Sequence, residues 1–321
     1  MSEDTFRNTI TLTDAARMTG PSVFNIMIKP CGSVCNLDCR YCYYLDKASL
    51  YGGHEPKMSD ELLEKVIKDY AESVDMPEIT FNWHGGEPLV AGIDFYRKAV
   101  ELERKYCGDK LINNTLQTNG TLVDSRWADF FAENRFLVGI SIDGPQNVHD
   151  RFRSSKSGEP SFRSVMGGLL ALRRAGVEFN TLTAVSKASE GHGAEIYSFL
   201  KAAGSHYMQF LPVVEKVVYP RYRLGNVRDT SLRDLAASSQ ALQFGIDKRN
   251  TLPRECRRCE FLNICHGGCP QHRLSRASNG EAGKNSLCEG LKMFWRHSAP
   301  AMQKMRELLA QNRAPAEITG L

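Results

Sequence analysis

Short runs of β-branched and aromatic residues recur through the first two-thirds of the chain, and stretches whose apolar residues return every three or four positions separate them. The runs are Phe24 to Lys29, Ile79 to Trp83, Ile112 to Thr118, Phe136 to Ile142, Val177 to Val185 and Tyr207 to Val214, and their composition predicts strands. Asp60 to Ala71 carries Leu62, Leu63, Val66, Ile67 and Tyr70 at helical spacing, with Ser59 placed as the cap. The same period marks Ile93 to Tyr106, Asp124 to Glu133, Phe162 to Ala175 and Ala194 to Ala203.

Five strand-and-helix repeats closed by a sixth strand require parallel pairing with right-handed crossovers. A closed or partly open parallel barrel is the favoured architecture, and a doubly wound open sheet is the alternative. In either, chemistry gathers at the C-terminal ends of the strands. Cys35 to Cys42, Gly85-Gly86-Glu87-Pro88, Gln117 to Gly120 and Asp143-Gly144-Pro145 all fall there.

After the sixth strand the alternation stops. No sixth helix is predicted: Glu215-Lys216 leads to a short extended segment at Val217 to Tyr219, a turn over Pro220 to Asn226 and one helix from Ser231 to Gln243. A cysteine- and glycine-rich segment of low periodicity covers Cys256 to Cys288, and an amphipathic helix is predicted from Leu291 to Gln311. The expected division is a barrel over residues 1–215 and a small module over 216–321. A chain of 321 residues is long enough for that pair.

With 42% apolar and 24% charged residues, the composition is that of an ordinary soluble protein. No apolar run approaches the ~20 residues of a membrane span. Met1 to Gly20 is polar with no apolar centre, unlike a signal peptide, so a cytoplasmic location is expected. The net charge of +4 is spread along the chain without a basic block, which gives no reason to expect nucleic acid.

Cysteine usage changes the picture. Of ten cysteines, four lie between Cys31 and Cys42, five between Cys256 and Cys288, and Cys107 stands alone. Without an export signal such groups point to metal or redox chemistry rather than disulfides. Cys35, Cys39 and Cys42 put three thiolates on one short loop. A four-iron cluster held by three cysteines keeps one iron open for a further ligand. Tyr41, Tyr43 and Tyr44 would shield it from solvent. A zinc loop is the competing reading, although zinc favours two cysteine pairs and no second pair lies nearby. Cys31 reads as a buried or free thiol. For Cys256, Cys259, Cys265, Cys269 and Cys288, a zinc ribbon and a second iron–sulfur cluster both stay open.

The run Lys29-Pro30-Cys31-Gly32-Ser33-Val34-Cys35-Asn36-Leu37-Asp38-Cys39-Arg40-Tyr41-Cys42-Tyr43-Tyr44 resembles the signature of radical S-adenosylmethionine (SAM) proteins and, within them, of the anaerobic sulfatase-maturating enzymes. The resemblance implies a partial parallel (β/α)6 barrel with a cysteine-rich C-terminal iron–sulfur module of the SPASM type. It implies a [4Fe–4S] cluster on Cys35, Cys39 and Cys42 whose open iron chelates SAM. Reduction then releases a 5′-deoxyadenosyl radical, which takes a hydrogen from a cysteine or serine of a sulfatase and leads to formylglycine. By carry-over, Gly86 would bond the SAM amino group and Tyr41 would contact the adenine region. Ser141 and Arg153 would hold the ribose and carboxylate, Val214 would line the adenine pocket, and Tyr44 and His84 would lie near the peptide. On the residues alone, a Gly-Gly turn is as often punctuation, and Arg153 reads as a surface ion pair.

The same resemblance assigns Cys256, Cys259, Cys265 and Cys288 to an outer auxiliary [4Fe–4S] cluster and Cys269 to an inner one. The inner cluster's other ligands and the aspartate base come, in the family, from a long segment after the sixth strand. Here no cysteine lies between Cys107 and Cys256. An internal deletion joined near Glu215 to Val217 is therefore expected, and the inner cluster is not expected to assemble. The implied partners are a sulfatase polypeptide and a low-potential donor of the flavodoxin or ferredoxin type. Two alternatives stand beside this reading: another radical SAM peptide maturase forming a thioether or crosslink, and a non-catalytic remnant.

Overall fold

The computed structural model describes residues 9–18, 24–44, 57–213 and 222–320. The expected junction at 215–217, the extended segment Val217 to Tyr219 and Val214 lie outside these. The chain divides into two compact units: Gly20–Lys216 with Leu224–Ala237, and Met1–Thr19 with Val217–Arg223 and Ser238–Leu321. Among the described residues no helix is long and apolar enough to cross a membrane.

A short helix α1 (Leu12–Met18) precedes the first strand β1 (Ile26–Ile28). Strands and helices then alternate as α2 (Asp60–Ser73), β2 (Glu78–Trp83), α3 (Ile93–Tyr106), β3 (Leu111–Thr118), α4 (Ser125–Glu133) and β4 (Phe136–Ser141). Helices α5 (Gln146–His149) and α6 (Phe162–Arg174) lead to β5 (Phe179–Val185), α7 (Gly193–Ala202) and β6 (Met208–Pro212). All six strands are parallel, and their spatial order follows the chain from β1 to β6. A doubly wound sheet would reverse its order partway. The monotonic order excludes that alternative and gives the open parallel barrel, whose right-handed crossovers put the helices on one face.

The period of two along each strand sorts the side chains. Ile79, Phe81 and Trp83 of β2, Leu116 of β3, and Phe136, Val138 and Ile140 of β4 are buried under the helices. There Leu63, Val66, Ile67 and Tyr70 of α2 meet them, the helix start being capped by Ser59, whose Oγ accepts the Leu62 N–H at 3.3 Å. The alternate positions Thr115, Gln117, Gly139, Ser141, Leu182 and Ala184 face the other way, and several are polar.

In the smaller unit, α9 (Ser239–Asn250) follows α8 (Leu232–Ala237), which belongs to the larger one. The single helix expected from Ser231 to Gln243 is thus two, because Ser238 leaves helical geometry and its Oγ caps α9 by accepting the Ala241 N–H at 3.2 Å. In the larger unit, α8 is tied to α2 by the Leu232 N–H to Asp69 at 2.8 Å. Helices α10 (Arg254–Arg257) and α11 (Leu262–Cys265), a hairpin of β7 (Ser275–Arg276) and β8 (Ala282–Lys284), and α12 (Cys288–Ala310) complete the smaller unit. Asn250 pins the stretch before α1 by accepting the Ile10 N–H at 3.1 Å and donating to the Ile10 carbonyl at 2.8 Å.

One buried polar relay crosses the helix–sheet interface of the larger unit. Trp83 Nε1 donates to Asn114 Oδ1 at 2.7 Å, and Asn114 Nδ2 donates to Glu103 Oε2 at 2.7 Å. Glu103 Oε1 is buried without a hydrogen-bond partner. Burial pushes the Glu103 carboxyl up from 4.5 to about 8, against the bond from Asn114. A carboxyl protonated longer in the folded than in the unfolded chain stabilises fully below the unfolded value, and that stability is lost as pH rises through the folded one. Chemical denaturation of the wild type is therefore expected to become easier between about pH 5 and 8. Glu103→Gln should flatten that slope and gain roughly 1–3 kcal/mol at pH 8; equal slopes for the two proteins would refute the account.

Candidate functional site

The loop after β1 carries Cys35, Cys39 and Cys42, and backbone bonds clamp it from two sides. From the loop after β2, Gly86 N–H donates to Gly32 O at 2.9 Å and Glu87 N–H to Val34 O at 2.8 Å. From the other side, Asp38 N–H reaches Ser154 O at 2.8 Å, Arg40 N–H reaches Phe152 O at 2.9 Å, and Leu37 bridges to Ser155. A Cβ on Gly86 would lie 2.2 Å from Val34 O and 2.5 Å from Ser33 O, so only glycine permits this approach.

A cavity of about 240 Å³ opens beside this loop. Cys35, Cys39, Cys42, Tyr41, Tyr44, His84, Gly86, Ser141 and Arg153 all line it, with Gln117, Leu182, Ala184 and Val213. Every site residue expected in the described part of the larger unit thus meets in one place; Val214 lies outside the described residues. Burial raises the Cys35 thiol and pushes Cys39 up to about 12, although the Arg153 charge lowers the latter. Metal ligation takes the thiolate form, so binding at these cysteines would release protons. Among the described residues no group of three or more His, Cys, Asp or Glu closes around a single metal ion. Cys35, Cys39 and Cys42 on the wall of one cavity are donors of the kind iron–sulfur clusters use.

Arg153 is not on the surface, as a bare ion-pair reading would have it. Its guanidinium is buried and forks onto Asp143, Nε to Oδ2 at 2.9 Å and Nη2 to Oδ1 at 3.0 Å. Tyr41 donates its hydroxyl to Asp143 Oδ2 at 2.5 Å, and Ala184 N–H adds a bond at 2.9 Å. Burial alone would raise the Asp143 carboxyl, but the Arg153 charge and these bonds outweigh it and hold the pKa below its ordinary value. His149 sits behind the pair, accepting the Asp143 N–H at Nδ1 (3.2 Å) and meeting Ser161 Oγ at 3.1 Å. Burial and the nearby Arg153 push its pKa down to about 4, so the ring is neutral.

Three contributors, Asp143, Gln117 and Glu87, were placed by the sequence at strand ends but given no role there. Gln117 Nε2 donates to Ser141 Oγ at 2.9 Å, in space kept open by Gly139. Glu87, fully buried, accepts from Leu89 N–H at 3.0 Å, Thr118 Oγ1 at 2.8 Å and Asn119 N–H at 2.7 Å. Burial raises its carboxyl to about 7 despite those bonds. Their only advance signal was position, at or beside the C-terminal ends of strands.

In the smaller unit, burial raises the Cys256 thiol, and Cys288, Cys265, Glu255 and Cys259 raise it further electrostatically. Three successive left-handed residues after α11, His266, Gly267 and Gly268, reverse the chain. Arg273 braces the turn through bonds to the carbonyls of Gly267, His266 and Gly268 at 3.1, 3.1 and 3.3 Å. Cys269, beyond the turn, is exposed.

Comparison with known proteins matches residues 30–200 to the Radical SAM superfamily and residues 199–260 to SPASM, an iron–sulfur cluster-binding domain. A serine-type anaerobic sulfatase-maturating enzyme of Bacteroides thetaiotaomicron is 36% identical over 388 residues, covering 91% of this chain and 94% of that protein. Those 388 residues exceed the 321 of this chain, so the relative carries residues that this chain lacks. A cysteine-type enzyme of Clostridium perfringens is 28% identical over 87% of this chain and 97% of its own length. The solved structure of native anSMEcpe with bound AdoMet and a Cp18Cys peptide superposes with a TM-score of 0.78 at 26% identity, covering 87% of this chain and 98% of that one.

Because the Gly86 contact is backbone on backbone, Gly86→Ala must displace the cysteine loop. The variant is expected to lose roughly 1–3 kcal/mol of stability and most of its bound iron after anaerobic reconstitution. Retention of full iron content with an unshifted denaturation midpoint would show that the approach does not matter.

Proposed function

This chain belongs to the radical SAM superfamily, in the family of the anaerobic sulfatase-maturating enzymes, and from that premise we propose that it oxidises a cysteine or serine of a sulfatase polypeptide to formylglycine. It is an enzyme that acts on a protein substrate and uses SAM and [4Fe–4S] clusters. The observation that carries the finer reading is the convergence of Cys35, Cys39 and Cys42 with Gly86, Ser141 and Arg153 on one cavity.

In this reading Cys35, Cys39 and Cys42 hold the SAM-binding cluster. When bound, cluster and cofactor supply the one-electron chemistry that removes a hydrogen from the substrate side chain. Gly86, which lines the cavity, would present its backbone to the cofactor amino group. Ser141, its Oγ already accepting from Gln117, has its own proton left to donate to the ribose or carboxylate. Asp143 takes two N–H groups of Arg153, and the rest of the guanidinium fork serves the carboxylate. Tyr41 would contact the adenine region.

On the peptide side stand Tyr44 and His84. Next to Gly86, the Gly85 N–H lies 2.7 Å and the Gly85 carbonyl oxygen 3.3 Å from His84 Nδ1, contacts that orient the ring at the cavity wall. The family's aspartate base belongs to the segment expected after β6 and absent here, and no other residue is assigned that role. Cys256, Cys259, Cys265 and Cys288 hold one complete auxiliary cluster, with Cys269 left over. A flavodoxin- or ferredoxin-type donor supplies the low-potential electron, in the cytoplasm.

Anaerobic reconstitution should give about eight irons per chain, four for each complete ligand set. With a peptide containing Cys or Ser followed by x-Pro-x-Arg, SAM is expected to be cleaved and the Cys or Ser converted to an aldehyde, and Cys35→Ala should reduce both to background. A thioether or crosslinked product would identify a different maturase. SAM cleavage with no peptide product would identify a remnant that has lost the base, and no SAM affinity at all would overturn the reading.

A further inference from the structure

The loop after β3 reaches the cysteine loop through Asn119, a buried residue that the mechanism above does not use. Its backbone N–H is anchored on Glu87 Oε2 at 2.7 Å. Its side-chain Oδ1 accepts from the Thr121 N–H at 2.9 Å and from Thr121 Oγ1 at 2.7 Å. A backbone N–H only donates, so the oxygen of the amide must face Thr121 and the NH2 must face the other way. That NH2 donates to Asn36 Oδ1 at 2.9 Å and lies 3.7 Å from Cys35 Sγ. Asn36 is itself held, its Nδ2 donating to Thr121 Oγ1 at 2.8 Å. The Leu37 N–H also points at the Cys35 sulfur, at 3.4 Å.

We propose that Asn119 is a positioning residue for Cys35, whose side-chain N–H···S hydrogen bond fixes that sulfur and raises the reduction potential of the cluster it ligates. The inference rests on the reading of Cys35 as a cluster ligand. Hydrogen bonds to ligating sulfur withdraw negative charge and favour the reduced, more negative state of an iron–sulfur cluster. The arrangement is built for one orientation: Glu87 fixes the backbone, Thr121 fixes the amide face, and the donor that remains is aimed at the sulfur. Glu87 thereby links the Gly-Gly loop, which touches the cysteine loop through backbone, to the loop that touches it through a side chain.

Asn119→Asp keeps an oxygen for Thr121 and replaces the donor by an acceptor of the same size, so the fold is preserved while the bond to sulfur is lost. Asn119→Ser removes the donor without adding charge. In the full-length reconstituted protein, the signal to follow is the reduced-cluster electron paramagnetic resonance that changes when SAM is added. At a fixed solution potential, the ratio of reduced to oxidised cluster is expected to fall about tenfold in Asn119→Asp and several-fold in Asn119→Ser, with iron content held near wild type. An unchanged ratio in both variants overturns the proposal and leaves the assignment of Cys35 standing. A SAM-responsive signal that survives in Cys35→Ala would instead remove the assignment on which it rests.

Discussion

Backbone meets backbone where Gly86 lies against the carbonyls of Ser33 and Val34, and this contact sets the height of everything else in the site. Two strand-end loops are held in register by Gly86 N–H to Gly32 O and Glu87 N–H to Val34 O, bonds that involve no side chain. A loop presenting three thiols is intrinsically mobile, and loop ordering costs entropy that local sequence does not repay. The parallel sheet supplies that order. It delivers the ends of β1, β2, β3 and β4 to one edge, so the cysteine loop is braced by neighbours that are already rigid.

The buried ion pair of Arg153 and Asp143 is a less economical device. Removing both charges from water costs several kcal/mol per ion, and their attraction with ideal geometry roughly offsets it. A pair of apolar side chains would hold the fold as well. What they would not do is bring a permanently charged, forked donor to a cavity wall in one orientation. Tyr41 and the Ala184 N–H hold the Asp143 carboxylate while the neutral His149 accepts the Asp143 backbone N–H, so the guanidinium keeps its direction as well as its charge.

Much of this was legible in the sequence, for identifiable reasons. Period-two strands and period-3.6 helices at short spacing announce a parallel α/β sheet, and the structure has all six strands in chain order. The cysteine spacing announces a metal-binding loop because three ligands sit within eight residues, from Cys35 to Cys42. Residues whose role depends on distant partners were opaque. Tyr41 and Asp143 are 102 positions apart, and Asn119 and Cys35 are 84 apart, so no local pattern marks either pairing. The helix break at Ser238 was overlooked because apolar periodicity continues across it, and the cap that breaks it is a single hydroxyl. The hairpin of β7 and β8 was missed because strands of two and three residues carry no readable alternation.

The smaller unit shows the same contrast between local and distant determinants. Cys256 and Cys259 are set by one short turn, with Cys259 N–H on Cys256 O at 3.2 Å, and Cys265 closes the next helix. Cys288 arrives at the start of α12, where Asn285 Oδ1 accepts the Leu287 N–H at 2.8 Å. Turns, a cap and one hairpin thus place these four cysteines, all within the stretch from Cys256 to Cys288. Cys269 belongs to no such local set. A side chain placed by consecutive turns needs no remote segment for its position, and the determinants of Cys256, Cys259, Cys265 and Cys288 named above are all near neighbours in the chain, whereas Cys269 is exposed.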